Sequence, residues 1–472
     1  MKRKFLRHSN LSDFLLRSMD VRGVMMAALC VLLFLLPGCK KFFDVRPNTT
    51  SINPTTIRDF EEMLNSDSLA LCNYLLADFM SDDVRLEDVH LSADAVSSYT
   101  RSYLWEQTIW KPGESDFMYN ASYTRILQMN IVLERIGRAT GSEEQKSVIR
   151  AQAQINRAWY YLQLASLYGS DYQAATAATD LAVPLVLLPD ASDQPVRATV
   201  QQVYDQIIAD LTAAVATPGL PGMGQNVVHP GKAAGYALLA RIYLNMAKYP
   251  DALNAAQSAL TINSQLLKYN RDYVAPSSLL DLSKNPEILL ARLCVDYDFY
   301  NIRHTAFHIS PTLRAVLDSN DIRLLGNFAD GGLYINGGNF SAVAFNYSLG
   351  VPEVMLIKAE CLARQEDAAG ALALVNELRK NRLITYEPLG STTDVLTTVL
   401  QERRRELFCY GGLRLFDLKR LNRDSRFAQT LQRFADNGTT LKATLTANSP
   451  RYLMPFSPLI IANNPAIIQN PR

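Results

Sequence analysis

Val399–Asn422 has the sequence V-L-Q-E-R-R-R-E-L-F-C-Y-G-G-L-R-L-F-D-L-K-R-L-N, and this stretch says most about the fold. Apolar residues at helical spacing on both sides of Gly411-Gly412 predict two helices, because glycine readily adopts the left-handed geometry that ends a helix. Glu402 can meet Arg405, and Arg403 can meet Glu406, at a spacing of three. The stretch is either a solvated, salt-bridged face or a charged helix packed among others, with its arginines fixing a junction. We favour the second interpretation.

The composition is that of an ordinary globular protein. The 472 residues are 48% hydrophobic and 20% charged, with a net charge of +1, which allows a large core and several domains. Residues 1–38 hold six basic and two acidic residues, so the remainder carries 41 basic and 44 acidic residues. No basic run points to nucleic acid as a partner.

The N-terminal region predicts export. Val24–Leu36 is an apolar run too short for a membrane span of about 20 residues and typical of a signal-peptide core. It ends in Leu36-Pro37-Gly38-Cys39, which looks like a bacterial lipobox. We therefore predict a lipoprotein signal peptide over 1–38 and a lipid on Cys39; the alternative is a plain signal peptide with a chance cysteine. Since residues 1–18 look unlike a leader, Met19 is an alternative start.

The other cysteines and the histidines give no metal motif. Cys72, Cys294, Cys361 and Cys409 form no CxxC and no Cys/His cluster, so a structural zinc site is not expected. His304 and His308 are four residues apart, but no third ligand is evident. We predict no metal and no cofactor.

Helical patterns come in pairs along the chain. The clearest is Lys232–Leu260, two helices joined at Tyr249-Pro250-Asp251, which is similar to a tetratricopeptide repeat unit. Pro352–Arg382 has the same design, and further pairs are predicted over Arg157–Ala216 and Thr393–Leu421. Stacked helix pairs bury apolar surface that a single pair would leave exposed. We therefore predict a mainly α, superhelical scaffold over 56–472. Residues 263–351 form an irregular insert whose aromatic content argues against disorder.

Several motifs, in order along the chain, resemble the SusD/RagB family of outer-membrane lipoproteins of Bacteroidetes. The resemblance is carried by Cys39–Pro47, Tyr123-x-x-Ile126-x-x-x-Asn130, Arg157–Leu162, Tyr168-Gly169, Asp321-Ile322-Arg323, Glu402–Leu407, Gly411–Arg420 and Gln469-Asn470-Pro471. It implies a nutrient-binding protein held by a lipidated tether, 39–55, on the outer face of the outer membrane. It also implies a partner, a SusC-like TonB-dependent barrel transporter, over which the protein acts as a hinged lid.

Two irregular regions, Asp67–Trp110 and Tyr297–His308, hold the aromatic and charged groups that a sugar site needs. The resemblance implies that family ligands lie across loops from these regions. For stacking on the ligand we predict Tyr99, Trp105 and Tyr300. For hydrogen bonds to it we predict Asp82, Arg85 and Arg101. Trp105 could equally belong to the core, and Asp82 could cap a helix.

The predicted task is binding rather than catalysis. A glycan is the first candidate ligand, and a peptide, as for a RagB-type uptake component, is the alternative. A surface polysaccharide hydrolase is less favoured because nothing marks a pair of catalytic carboxylates about 5–10 Å apart. The G-x-S-x-G, H-E-x-x-H and phosphate-loop motifs are also absent from the sequence. A pure assembly scaffold stays open, since tetratricopeptide-like arrays bind proteins.

Overall fold

The structure is a computed structural model that describes residues 54–93, 97–189, 194–269, 279–296, 307–329, 334–335, 344–390 and 393–472. Pro54–Arg472 forms one unit by its internal contacts. The predictions for the leader, Cys39, Tyr300 and His304 lie outside the described residues. Within that part of the chain, no helix combines the length and apolar character needed to cross a bilayer.

Helices build most of the described structure. They are α1 (Ile57–Leu64), α2 (Leu75–Met80), α3 (Asp88–Ala93), α4 (Ser98–Tyr103), α5 (Phe117–Arg135), α6 (Glu143–Tyr168), α7 (Val200–Ala216), α8 (Lys232–Asn245), α9 (Tyr249–Ile262), α10 (Leu279–Ser283), α11 (Pro311–Arg314), α12 (Ile322–Asn327), α13 (Val351–Arg364), α14 (Ala368–Lys380), α15 (Val395–Glu406), α16 (Leu413–Leu421) and α17 (Pro458–Asn463).

The strands are short and lie mainly around the insert. They are β1 (Val84–Leu86), β2 (Leu181–Pro184), β3 (Arg197–Thr199), β4 (Ile288–Leu290), β5 (Leu293–Val295), β6 (Phe307–Ile309), β7 (Phe328–Ala329), β8 (Tyr334–Ile335), β9 (Ala344–Asn346), β10 (Leu349–Gly350), β11 (Leu431–Phe434) and β12 (Leu441–Leu445). One sheet has the order β1-β6-β8-β7, and the others are the two-stranded pairs β2-β3, β4-β10, β5-β9 and β11-β12. The insert is therefore built from short strands and helices where it is described.

Local sequence signals explain where the main helices begin. Thr56 and Thr199 each cap the following helix with the side-chain oxygen, and Asp59 or Gln202 closes the reciprocal bond of a capping box. Trp159 is buried in the core on the long helix α6.

The long helices stack in chain order, which confirms the superhelical scaffold. The series α5, α6, α7, α8 and α9 packs neighbour on neighbour, α9 packs on α13, and α13 packs on α14. Ala240, Ala252 and Ala256 are fully buried between α8 and α9 and their neighbours. Small side chains at these positions let the helix axes approach closely.

The last predicted pair, over Thr393–Leu421, differs from the others. Helix α15 lies against α13 and α14, whereas α16 lies against α2. Gly411 and Gly412 have φ of 66° and 85°, the left-handed geometry that was predicted. A Cβ on Gly412 would lie 2.7 Å from Ala77 Cβ, so the break also lets the chain pass close to α2. The two glycines therefore redirect the chain rather than close a helical hairpin.

The charged helix α15 is packed among other helices, as we favoured. The Glu402 side chain is fully buried and lies within 2.8 Å of Arg323, 2.9 Å of Arg405 and 3.2 Å of Arg379. Arg403 pairs with Asp417 at 2.8 Å, where the sequence predicted Glu406. Each buried charge thus has a counter-charge, which burial requires.

The same cluster fixes the insert to the scaffold. Arg382 is fully buried and pairs with Glu406 at 2.8 Å and with Glu287 of the insert at 2.7 Å. It also donates to the Leu267 carbonyl at 2.9 Å, and its own carbonyl accepts from Ile322 N–H at 2.9 Å. Three separate parts of the insert therefore meet at one arginine.

Candidate functional site

The two irregular regions proposed to share a site lie side by side. Strand β1 of the first region pairs with β6 of the second, with Arg85 opposite His308. A second link lies nearby, where Asp296 accepts hydrogen bonds from Asn73 Nδ2 at 2.7 Å and from the Tyr99 hydroxyl. Sequence periodicity does not reveal this pairing, because both strands are only three residues long.

The most accessible of the described candidates is Arg85. Its guanidinium lies 2.7 Å from Asp436 Oδ1, and the two side chains are 32% and 42% exposed. Asp436 and Asp88 each accept the other's backbone N–H, at 3.0 and 3.1 Å, and Lys442 Nζ lies 3.4 Å from Asp88. The β11-β12 hairpin thereby presents mixed charges beside the β1 edge, at a place where solvent and ligand can reach them.

Two ionisable groups adjoin this charged surface. His308 is buried, and its Nε2 lies 3.3 Å from Glu87 Oε1. Although desolvation acts to raise it, the pKa of Asp436 lies below its ordinary value because Asp88 N–H and the Arg85 guanidinium stabilise the carboxylate. Asp436 therefore keeps its negative charge beside the Arg85 guanidinium at neutral pH.

Asp82 is held by arginines from the far end of the chain. Arg414 binds both its carboxylate oxygens, at 2.7 and 2.8 Å, and Arg404 lies 3.2 Å away. Burial would raise the pKa of Asp82, but Arg414 and Arg404 hold it well below the usual range. Arg404 also pairs with the buried Asp83 at 2.7 Å. With both oxygens engaged, Asp82 braces the loop, and its capacity to accept from a ligand hydroxyl is small.

Three other candidates are buried. Trp105 is 0% exposed, its Nε1 donates to the Met80 carbonyl at 2.9 Å, and its φ is 51°. Arg101 is 3% exposed and donates to the Ile109 carbonyl at 2.6 Å. Tyr99 is 7% exposed and donates to Asp296. A ring without an open face cannot stack on a sugar, so Trp105 takes the core alternative, and we remove it from the proposed site.

Arg433 organises this region, although no motif in the sequence marks it. It is 4% exposed and donates to the carbonyls of Phe79, Ser81, Val84 and Tyr103. Its guanidinium also lies 4.3 Å from the Trp105 ring centroid. One side chain from β11 therefore fixes the loop that leads into β1, through carbonyl oxygens that no sequence pattern marks.

A protein metal site usually needs at least three ligating side chains close together. In the parts of the chain that the structure covers, no three His, Cys, Asp or Glu side chains are grouped so that they could hold an ion. His304, one of the two histidines considered for this role, lies outside the described residues.

Two family models match the sequence. One, described as "Starch-binding associating with outer membrane" (SusD-like), matches residues 41–244, and the other, the "SusD family" (SusD/RagB), matches residues 351–472. Together they cover more than two thirds of the chain, including both halves of the helical scaffold. The comparison with curated proteins gives no match.

Solved structures share the fold over most of the chain. A putative sugar binding protein from Bacteroides vulgatus ATCC 8482 has a TM-score of 0.72 at 21% identity, covering 89% of this chain and 99% of that one. A SusD superfamily protein from Bacteroides thetaiotaomicron VPI-5482 has a TM-score of 0.69 at 22% identity, covering 89% and 100%. A SusD-like carbohydrate binding protein from B. vulgatus has a TM-score of 0.65 at 18% identity, covering 88% and 97%.

Proposed function

The chain belongs to the SusD/RagB family, and from this premise we propose that it is a nutrient-binding lipoprotein on the outer face of the outer membrane. In this proposal it captures a glycan and passes it to a SusC-like, TonB-dependent transporter. The lipid on Cys39 holds it at the membrane. Binding is the whole task, and the protein carries out no catalysis of its own.

The observation that carries the ligand site is the pairing of β1 with β6. It joins the two regions that hold the candidate ligand groups, and it leaves Arg85 and Asp436 partly exposed beside the junction. An arginine and a carboxylate together offer donors and acceptors to the vicinal hydroxyls of a sugar. We propose Arg85 for hydrogen bonding and, on the sequence prediction alone, Tyr300 for stacking.

Asp82, Tyr99 and Arg101 have a different role in the proposal. Each is engaged with the protein itself, through Arg414, Asp296 and Ile109 respectively. Their function is to hold the loops in one geometry, so that less conformational entropy is lost when a ligand binds. The proposed ligand-contacting set is therefore smaller than the set named from the sequence.

The transporter partnership is tested by isolating the full-length lipoprotein from outer membranes solubilised in gentle detergent and identifying what co-purifies. A large β-barrel protein in equal amount is the expected result. Recovery of the lipoprotein alone contradicts the uptake complex.

The ligand class is tested on the same material. Retention on immobilised polysaccharides supports the glycan, whereas binding only to a peptide library moves the protein to the peptide-binding alternative. Release of sugars from any polysaccharide by the purified protein contradicts a purely binding role.

A further inference from the structure

Two cysteines far apart in sequence lie on adjacent extended segments. Leu71 and Leu293 form a parallel bridge. Leu293 N–H donates to the Ala70 carbonyl at 2.8 Å, and Cys72 N–H donates to the Leu293 carbonyl at 3.0 Å. In a parallel pairing of this register, the residue after Leu71 stands beside the residue after Leu293. Those residues are Cys72 and Cys294.

The two side chains point to the same side of the pairing. Cys72 and Cys294 belong to the large central core, whereas Leu293 belongs to a separate small cluster. Side chains of successive residues in an extended segment alternate between faces. Since Leu293 faces one cluster, Cys294 and its neighbour Cys72 both face the other.

The spacing expected for residues beside such a bridge suits a covalent bond. Neighbouring strands lie about 5 Å apart, and disulfide-bonded cysteines have Cα atoms about 4.4–6.8 Å apart. In this structure both cysteines are free thiols, and each is at most 8% exposed. Burial raises the pKa of the Cys294 thiol well above its ordinary value, and the neighbouring Cys72 raises it further, as expected for sulfurs in close proximity.

We propose that Cys72 and Cys294 form a disulfide bond in the exported protein. The inference rests on the proposed location outside the cytosol, where disulfides persist. The bond would join the first irregular region directly to the insert, beside the Asp296 contacts that already link them.

The chemistry is a two-step exchange with a disulfide oxidant, R–S–S–R. The Cys72 thiolate attacks one sulfur of the oxidant, forming a mixed disulfide and releasing RS⁻. The Cys294 thiolate then attacks Cys72 Sγ, which forms the protein disulfide and releases a second RS⁻. The two thiol protons end on the released thiolates, so two cysteines are oxidised and one oxidant is reduced to two thiols.

The oxidation has to occur as the chain folds. Burial raises the pKa of the Cys72 thiol to about 12, so the folded chain holds almost no thiolate there at neutral pH. The thiols react before the core closes over them, and the closed core then protects the bond from reductants.

The test is thiol mapping on full-length protein from the membrane fraction. Cells are treated with N-ethylmaleimide before lysis, and the protein is denatured, digested without reductant and analysed by mass spectrometry. The expected result is a linked peptide pair containing Cys72 and Cys294, lacking two hydrogens and unlabelled at both positions. Cys361, a buried cysteine on α13, is the internal control and should carry the label after denaturation in the reagent. Label on Cys72 and Cys294 overturns the proposal.

Two variants guard against misassignment. Cys72→Ala should leave Cys294 labelled and abolish the linked pair, whereas Cys361→Ala should leave the pair intact. Fractionation of the same cells reports the location separately. If the chain is found in the cytosol, the proposed function fails, and the bond is tested by refolding purified protein in a mixture of reduced and oxidised glutathione. Absence of the linked pair there overturns the disulfide independently of location.

Discussion

Replacing Glu402 by Gln should measure how much the buried charge cluster stabilises the scaffold. The carboxylate is fully buried and faces Arg323, Arg379 and Arg405 within 3.2 Å. Gln keeps the volume and one acceptor oxygen but removes the charge, so three guanidinium groups lose a shared counter-ion.

The magnitude follows from the electrostatics of the site. Burial would raise the pKa of Glu402, but Arg323, Arg405 and Arg379 lower it from 4.5 to about 2. At about 1.4 kcal/mol per pKa unit, the ionised form contributes ~3 kcal/mol. Independently of the pKa, removing one partner of a buried ion pair lowers the free energy of unfolding by about 3–5 kcal/mol. The unfolding entropy grows with chain length, so for a unit as long as Pro54–Arg472 a loss of ~3 kcal/mol lowers the melting temperature by about 3–4 °C.

The pH dependence gives a second readout. Because the pKa is lower in the folded chain, this contribution is present above about pH 4.5 and is lost as the pH falls toward 2. The wild type and Glu402→Gln should therefore differ at pH 7 and converge in acid. The assay is thermal unfolding followed by far-UV circular dichroism at several pH values. Glu62→Gln, on the exposed face of α1, is the matched control. Equal melting temperatures for wild type and Glu402→Gln at pH 7 refute the reasoning.

Three further outcomes are expected. Burial raises the pKa of Asp116 from 3.8 to about 7, so its stabilising effect is full below about pH 4 and is lost as the pH rises through 7. Asp116→Asn should therefore reduce the fall in melting temperature between about pH 4 and 7, and an unchanged slope contradicts this. Arg85→Ala should weaken glycan retention by about 1.5–3 kcal/mol without changing the melting temperature, while the exposed control Arg58→Ala changes neither; equal retention by all three proteins removes Arg85 from the site. Cys39→Ala should move the protein from the membrane to the soluble fraction, and persistent membrane association argues against the lipid anchor.

The scaffold could be predicted from sequence because its signals are local. Thr199 precedes a helix whose third residue is Gln202, and a capping box needs no knowledge of the rest of the chain. The packing of the charged helix among other helices could also be predicted, because so many Glu and Arg residues close together can pair with one another. The partners of its charged residues could not be predicted. Arg403 binds Asp417 across the glycine break, because tertiary packing rather than helical spacing brings the two side chains together.

The candidate site was harder to predict because its residues meet across the chain. A carboxylate such as Asp82 is a residue type that often binds ligands. Its hydrogen bonds, however, come from Arg414, 332 positions away in the sequence. Trp105 has a left-handed backbone in which its ring turns inward, a geometry that residue type does not predict. Arg433 binds backbone carbonyls, which carry no sequence signature at all.

The pairing of Asp82 and Asp83 with Arg404 and Arg414 also bears on the order of events during synthesis. The two carboxylates leave the ribosome more than 300 positions before their counter-charges. Burying them earlier would cost several kcal/mol for each unpaired charge. This segment therefore stays hydrated while the chain is growing. The N-terminal loops therefore close late, when nearly the whole polypeptide is available, and a prematurely terminated product lacks the residues that would neutralise its own acidic turn.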